Sequence, residues 1–323
     1  MISTQLTQMF GLEHPIVLAP MGGVSGGRLA AAVSNAGGLG LVGGGYCDPA
    51  WLRTELGIVT RETQKPWGVG VITWAASDDV MALVLGFRPH AVMLSFGDPR
   101  PYAPAVRAAG CKLICQVQDM EGVRLAQAAG ADLIVAQGTE GGGHGGRRAT
   151  LPFVPAVVDA VAATPVLAAG GIADGRGLAA ALMLGAQGAL IGTRFYASEE
   201  ALGHPKVKQR LAGGHADETS RTSVFDIVRG YAWPMPITGR ALRNEFMQRW
   251  HGHEPELAKC VETERPAYWA AASQGNIDTA VVWAGEAVDL IGSVEGASAL
   301  VERISAEAES QLNAGIALTR SGK

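Results

Sequence analysis

Through its first two-thirds the chain alternates short, continuous apolar runs with Ala-rich amphipathic stretches. The runs Pro15–Ala19, Gly38–Val42, Trp67–Ile72, His90–Ser95, Lys112–Val117, Asp132–Ala136, Val166–Ala169 and Gly188–Ile191 read as strands. Between them, Arg28–Ala36, Ala50–Arg61, Asp78–Gly86, Tyr102–Ala109, Met120–Ala129, Val154–Ala163 and Gly175–Leu184 read as helices. Several of these close on glycine just ahead of the next strand, as at Gly37, Gly130 and Gly185, where a residue without a Cβ readily ends a helix. Strands that are apolar along their whole length, rather than at alternate positions, are buried on both faces. That is the mark of a parallel sheet wrapped by helices.

Eight strand–helix repeats in about 190 residues fit an α/β TIM barrel, (β/α)8, better than an open doubly wound sheet. The open sheet would carry its phosphate fingerprint after the first strand. That turn reads Ala19-Pro-Met-Gly-Gly-Val24, which lacks GxGxxG. Two literal GxGxxG strings occur, Gly38–Gly43 and Gly141–Gly146, but the first lies in a strand and neither opens directly into a helix. After residue 200 the pattern changes. Residues 204–270 are richer in His, Arg, Glu and Trp, strand-like runs become rare, and Ala241–His251 and Ser298–Leu312 read as helices. Residues 1–200 are therefore expected to form the barrel core. Residues 201–323 are expected to supply the final barrel helix and a mostly helical cap, with an oligomerisation element as the alternative for this part.

Composition narrows the function. Hydrophobic residues make up 48% and charged residues 17%, enough for a large core. A formal charge of −4, with no basic run interleaved with aromatics, argues against nucleic acid as a partner. The sequence has no 18-residue apolar run and does not open on a cationic, apolar leader, so a cytoplasmic protein away from membranes is expected. The four cysteines show no CxxC spacing, and Cys111 and Cys115 fall in or beside a strand as small hydrophobes.

The candidate chemistry gathers where barrel strands end. The run Ala131–Ala136 leads into Gln137-Gly-Thr-Glu-Gly-Gly-Gly-His-Gly-Gly146. This backbone is free to approach a ligand closely, and it carries one group, His144, that moves a proton near neutral pH. A neutral imidazole there is able to take an acidic C–H proton or to donate a hydrogen bond to a developing anion. Glu140 reads equally as an orienting partner or as a solvated loop charge. The seventh strand ends in Ala169-Gly-Gly-Ile-Ala-Asp174 and the eighth in Ile191-Gly-Thr-Arg-Phe195. Glycines at those two strand ends form the usual phosphate site of a barrel, so Gly170, Gly171, Gly192 and Thr193 are candidate phosphate ligands. Arg194 either joins them or points elsewhere. No HExxH, GxSxG or Walker A pattern is present. His251-Gly-His253 falls short of a metal ligand set, and no metal is expected. A phosphate site, one histidine and no metal together point to a bound cofactor that carries the chemistry.

His14-Pro-Ile-Val-Leu-Ala-Pro-Met21, Asn35-Ala-Gly-Gly-Leu-Gly40, Gly138-Thr-Glu-Gly-Gly-Gly-His144, Ala169–Asp174, Gly192-Thr-Arg-Phe195 and Trp283-Ala-Gly-Glu-Ala-Val-Asp-Leu-Ile291 together resemble the nitronate monooxygenases. The resemblance implies an FMN-containing TIM barrel under a helical domain. It further implies oxidation of alkyl nitronates, such as propionate 3-nitronate, by O2 to carbonyl compounds and nitrite, with some nitroalkanes accepted. By position, His144 resembles the active-site base. Gly170, Gly171, Gly192 and Thr193 match the FMN phosphate loops, and Pro20, Met21 and Gly22 match the segment along the isoalloxazine. Gly142 and Gly143 belong to the same cofactor set. Where many relatives carry Asn after the third strand and Lys at the end of the fifth, this chain has Gly70 and Gln116. Gln116 and Gln137 offer neutral hydrogen bonds in place of that cation. Related sequences include NAD(P)H-dependent flavin reductases acting on quinones or on an enoyl thioester, which is the alternative reading. A flavin-binding barrel without turnover is a third. The expected partners are a small nitronate or nitroalkane and O2, and a homodimer stays open.

Overall fold

The computed structural model describes residues 2–320. Its strands are β1 (Ile16–Leu18), β2 (Gly40–Gly43), β3 (Trp67–Ile72), β4 (Ala91–Ser95), β5 (Lys112–Val117), β6 (Leu133–Gln137), β7 (Gly143–Gly145), β8 (Val166–Ala169), β9 (Ala189–Ile191), β10 (Thr219–Thr222) and β11 (Thr238–Leu242). Eight of them pair in parallel in the order β1-β9-β8-β6-β5-β4-β3-β2. A parallel bridge between Val17 and Leu39 joins the two ends, with Leu18 N–H donating to Leu39 O and Leu39 N–H to Ile16 O, both at 2.9 Å. The sheet is thus a (β/α)8 barrel, and each of its eight strands falls on one of the apolar runs read as strands.

The period of two explains why those runs are apolar throughout. Val17, Leu41, Met93, Ile114, Val135, Leu167 and Leu190 point inward and pack together. Their neighbours Ile16, Leu18, Val42, Val69, Val92, Leu94, Cys115, Ile134 and Ala168 point outward, under the helices. The N-terminal helix Gln5–Phe10 closes the bottom of the barrel with Leu6 and Phe10. The chain's last helix, Ala297–Arg320, completes the outer ring. Glu307 on it accepts from Gly175 N at 3.0 Å, and Ser298 Oγ donates to Ala32 O at 3.4 Å.

The cap is helical, with its own core of Val224, Phe225, Val228, Phe246, Met247, Trp250, Leu257 and Tyr268. It also contains a three-stranded antiparallel sheet, β10-β11-β7. Two expectations are corrected there. The helix expected over Ala241–His251 begins at Glu245, where Asn244 Oδ1 caps Met247 N at 2.9 Å, and Ala241 and Leu242 belong to β11. The glycine loop after β6 is itself a strand of the cap's sheet.

Close backbone packing of the outer ring on the barrel yields a test. A Cβ at Gly40 would sit 1.9 Å from Ala30 O, on the helix Gly27–Asn35. Gly40→Ala should lower unfolding stability by roughly 1–3 kcal/mol or more, as overpacking does. Gly86→Ala, where nothing lies within 4 Å, should be neutral or stabilising. Thermal denaturation decides, and equal midpoints for Gly40→Ala and wild type would refute the packing argument.

Candidate active site

A cavity opens at the C-terminal ends of the barrel strands, beneath the cap, with about 1260 Å³ of space continuous with solvent. The candidate catalytic and cofactor residues line it: Pro20, Met21 and Gly22 after β1, Gly70, Gln116, Gln137, Gly142, Gly143, His144, Gly170 and Gly171 after β8, and Gly192 and Thr193 after β9. Gly70 lies within β3 rather than after it, and a Cβ there would meet Pro20 Cγ at 2.2 Å. Glycine at position 70 therefore lets the turn after β1 close over the strand.

The loop that carries His144 is held from both sides. On the barrel side, Gln137 Nε2 donates to His144 O at 2.9 Å, while Gln137 Oε1 accepts from Gln116 Nε2 at 3.1 Å and Gln118 Nε2 at 3.0 Å. Both ends of the Gln137 amide are thus occupied by the protein. On the cap side, Gly143, His144 and Gly145 pair with Arg240, Gly239 and Thr238. Arg221 donates to Thr139 O at 3.0 Å, Gly145 O at 3.2 Å and Thr238 O at 2.7 Å, and Arg240 adds Thr139 O at 3.1 Å. Glu140 neither touches His144 nor stands in solvent. Its carboxylate accepts from Thr150 Oγ1 at 2.8 Å and Thr150 N at 3.0 Å, tying the loop to the helix Thr150–Ala160.

His144 meets a carboxylate from the cap. Its Nε2 lies 2.9 Å from Asp226 Oδ1, on the helix Val224–Arg229, and both side chains are buried. With Asp226 ionised, Nε2 carries the proton and Nδ1 keeps its lone pair. The ring lies flat on Trp233, with centroids 3.5 Å apart and planes 6° apart, and Trp283 tilts against it at 5.1 Å. Gly239 opposite His144 makes room for that tryptophan, since a Cβ would meet Trp283 at 2.3 Å. Burial holds the imidazole pKa below its usual 6.5, against the opposing pull of Asp226. Near pH 7 His144 is neutral and able to accept a proton.

Sequence reasoning missed Asp226 as a partner. A single carboxylate in a mostly apolar helix, 82 residues from His144, has no spacing that marks it. Trp233 lines the cavity, whereas Tyr268 is buried in the cap core. Arg194 points away from the phosphate loops and donates to Ala197 O at 3.0 Å and Ser293 O at 2.6 Å. Thr193 Oγ1 accepts from Gly285 N at 3.0 Å and keeps its own proton to donate. The His251 ring is taken by Thr222 and Glu254. Among the described residues, no helix is long and apolar enough to cross a membrane.

The profile of the nitronate monooxygenase family matches residues 3–81 and 73–307. The chain belongs to the nitronate monooxygenase family. It is 29% identical to a protein of Staphylococcus haemolyticus named probable nitronate monooxygenase, over 90% of this chain and 93% of that one. It is 30% identical to a Mycobacterium tuberculosis protein named (3aS,4S,5R,7aS)-5-hydroxy-7a-methyl-1-oxo-octahydro-1H-indene-4-carboxyl-CoA dehydrogenase, over 98% and 99%. Among solved structures it is similar to FabK from Thermotoga maritima, with TM-score 0.88, 32% identity and 98% and 100% of the two chains covered. It is also similar to the nitroalkane oxidase of Streptomyces ansochromogenes, with TM-score 0.84, 30% identity and 96% and 99% covered. This nitronate monooxygenase family member is thus an oxidoreductase of a flavin-dependent family acting on small molecules.

The geometry around His144 predicts its titration. Its NMR midpoint should lie below 6.5 with the proton of the neutral ring on Nε2, and Asp226→Asn, which removes the group that raises the pKa, should move the midpoint lower still. A neutral buried imidazole binds its proton less readily than in the unfolded chain. Its contribution to stability is therefore complete above about 6.5 and is lost as pH falls through the depressed native value. A midpoint that rises in Asp226→Asn would contradict this account.

Proposed function

We propose that this family member oxidises alkyl nitronates with O2, yielding carbonyl compounds and nitrite, with FMN as cofactor and His144 as the base that admits neutral nitroalkanes. The observation that carries the reading is the His144–Asp226 pair, 2.9 Å apart, on a loop whose glycines wall the cavity. The residues present fit a flavin mononucleotide. Gly170 and Gly171 adopt φ of +99° and +74°, and a Cβ on Gly192 would meet only Ala19 and Met21 at ordinary contact distances of 3.4 and 3.6 Å. The bare backbone thus leaves room at that strand end. The N–H groups of Gly170, Gly171 and Gly192 donate to no other described residue, as a phosphate site requires.

In this reading Gly170, Gly171, Gly192 and Thr193 hold the phosphate. Pro20, Met21, Gly22, Gly70 and Gln116 line the ring site, with Gln116 Oε1 left as a neutral acceptor, and Gly142 and Gly143 pass the cofactor closely. Bound FMN supplies the redox chemistry, accepting electrons from the nitronate and delivering them to O2. The chain's own groups handle the proton and the anion. His144 Nδ1 takes the α-proton of a neutral nitroalkane while Nε2–H stays on Asp226, whose charge stabilises the imidazolium formed. Trp233 and Trp283 fix the ring plane and keep water from it. In this reading residues 1–200 form the cofactor barrel core, and residues 201–323 form the mostly helical cap that completes the base together with a C-terminal segment that supplies the final barrel helix.

A second reading, an NAD(P)H-dependent flavin reductase acting on a quinone or an enoyl thioester, is favoured by the nearly full-length likeness to a CoA dehydrogenase and to FabK. Anaerobic mixing separates the two, because NAD(P)H bleaches the flavin of a reductase and a nitronate reduces that of a monooxygenase. On the leading reading, His144→Asn should abolish turnover of neutral nitroalkane, by about 100-fold or more given the usual worth of general base catalysis. Nitronate oxidation should largely survive, since Asn keeps a hydrogen-bond donor. Oxygen uptake with both substrate forms tests this, and an equal loss on both would remove the base role.

A further inference from the structure

The cavity lining holds one permanently charged side chain among the described residues, Arg229, and no carboxylate. Arg229 ends the helix that carries Asp226. Other enclosed arginines, Arg194, Arg221, Arg240 and Arg265, give their N–H groups to carbonyls or hydroxyls. Arg229 forms no ion pair or hydrogen bond with any described residue. Asp226, three residues earlier, is hydrogen-bonded to His144. Instead the Arg229 guanidinium rests against three rings, with Cζ 4.9 Å from the Tyr231 centroid, 5.8 Å from Tyr46 and 5.7 Å from Trp269. Ring faces attract and orient a cation without using its N–H donors. Nor does Tyr46 supply a counter-anion, since burial pushes its hydroxyl up to about 12.

A continuous aromatic strip joins this cation to the base. His144 stacks on Trp233, Trp233 Nε1 donates to Tyr46 Oη at 3.0 Å, and Tyr46 stacks on Tyr231 at 3.5 Å, which lies beneath Arg229. Trp269, at the outer side of Arg229, is 42% exposed, so the guanidinium sits toward solvent. An oriented, unpaired guanidinium at the outer end of an apolar strip suits an extended ligand with an anionic end.

We propose that Arg229 is an anion subsite that holds a carboxylate or phosphate carried away from the reacting carbon, with the ligand's spacer lying along Trp233, Tyr46 and Tyr231. This rests on the reading that the substrate reacts beside His144, and it names the substrate class as one with a second, remote anion. The carboxylate would come from the tail of a small nitronate, and the phosphate from a thioester carrier or nucleotide.

The test compares the flavin-loaded wild type with Arg229→Met and Arg229→Lys. For the carboxylate arm, kcat/KM is measured for propionate 3-nitronate and for propyl-1-nitronate, which lacks the second anion. Loss of a charge-assisted hydrogen bond predicts that the ratio of the two falls roughly 10- to 100-fold in Arg229→Met and recovers in large part in Arg229→Lys. For the phosphate arm, coenzyme A is titrated against tryptophan fluorescence, and a comparable loss of affinity assigns the subsite to phosphate. An equal loss for charged and uncharged nitronates, an unchanged ratio together with unchanged coenzyme A binding, or loss of flavin from Arg229→Met would overturn the proposal. Should the wild type turn over no nitronate, the monooxygenase reading fails. The subsite is then decided by coenzyme A and by titration of 3-nitropropionate against 1-nitropropane.

Discussion

Everything the site does depends on one weld, the antiparallel pairing of Gly143–Gly145 with Thr238–Arg240. Through it a barrel loop becomes a strand of the cap, so His144 is positioned by backbone hydrogen bonds rather than by its own flexible loop. Two guanidiniums lock the weld. Burial first, and then the neighbouring charge of Arg240, lower the Arg221 pKa to about 10. Two like charges are tolerated so close together because their donors reach carbonyl oxygens of the loop and of β11, and Glu286 pairs with Arg240 at 2.9 Å. The barrel and cap are therefore one functional unit.

The two parts contribute different materials. The barrel provides bare backbone at strand ends, where a Cβ on Gly142 would strike Gly285 N at 2.6 Å and one on Gly22 would strike Gly45 Cα at 2.7 Å. The cap provides Arg229, Trp233 and Trp283, the charged and aromatic groups that line the cavity, and Asp226, which reaches it through His144. On the proposed function, the first set leaves room for the cofactor and the second would select among substrates.

What could be read in advance followed from periodicity. The eight barrel strands were legible because strands buried on both faces are apolar at every position, and the glycine loop stood out because no ordinary loop concentrates six glycines around one histidine. The cap's sheet was not legible. Gly143–Gly145 has no strand-like residue, Thr219–Thr222 is polar, and the end of β11 runs into a helix that masks its alternation. Tertiary pairing, not local preference, makes these strands. Asp226 was invisible for the same reason, since its significance lies in a contact between distant segments. Glu140 was misread because proximity in sequence suggested His144, whereas the loop turns its carboxylate to Thr150.

The electrostatics of the cavity also connect the two substrate forms on the proposed chemistry. A neutral nitroalkane meets a neutral imidazole and gives up its proton, leaving an imidazolium beside a nitronate. A nitronate that arrives as the anion faces the Nδ1 lone pair, which repels it unless the ring first takes a proton from solvent. Burial, aided by the nearby charges of Arg229 and Arg221, depresses the His144 pKa, but a bound anion opposes that effect and joins Asp226 in favouring the charged ring. Both routes therefore converge on the same ion pair, and they differ only in whether the proton comes from the substrate carbon or from water. On that chemistry the charged ring adds to the anion's binding without being required for its oxidation, so a neutral hydrogen-bond donor at position 144 suffices for a substrate that needs no base.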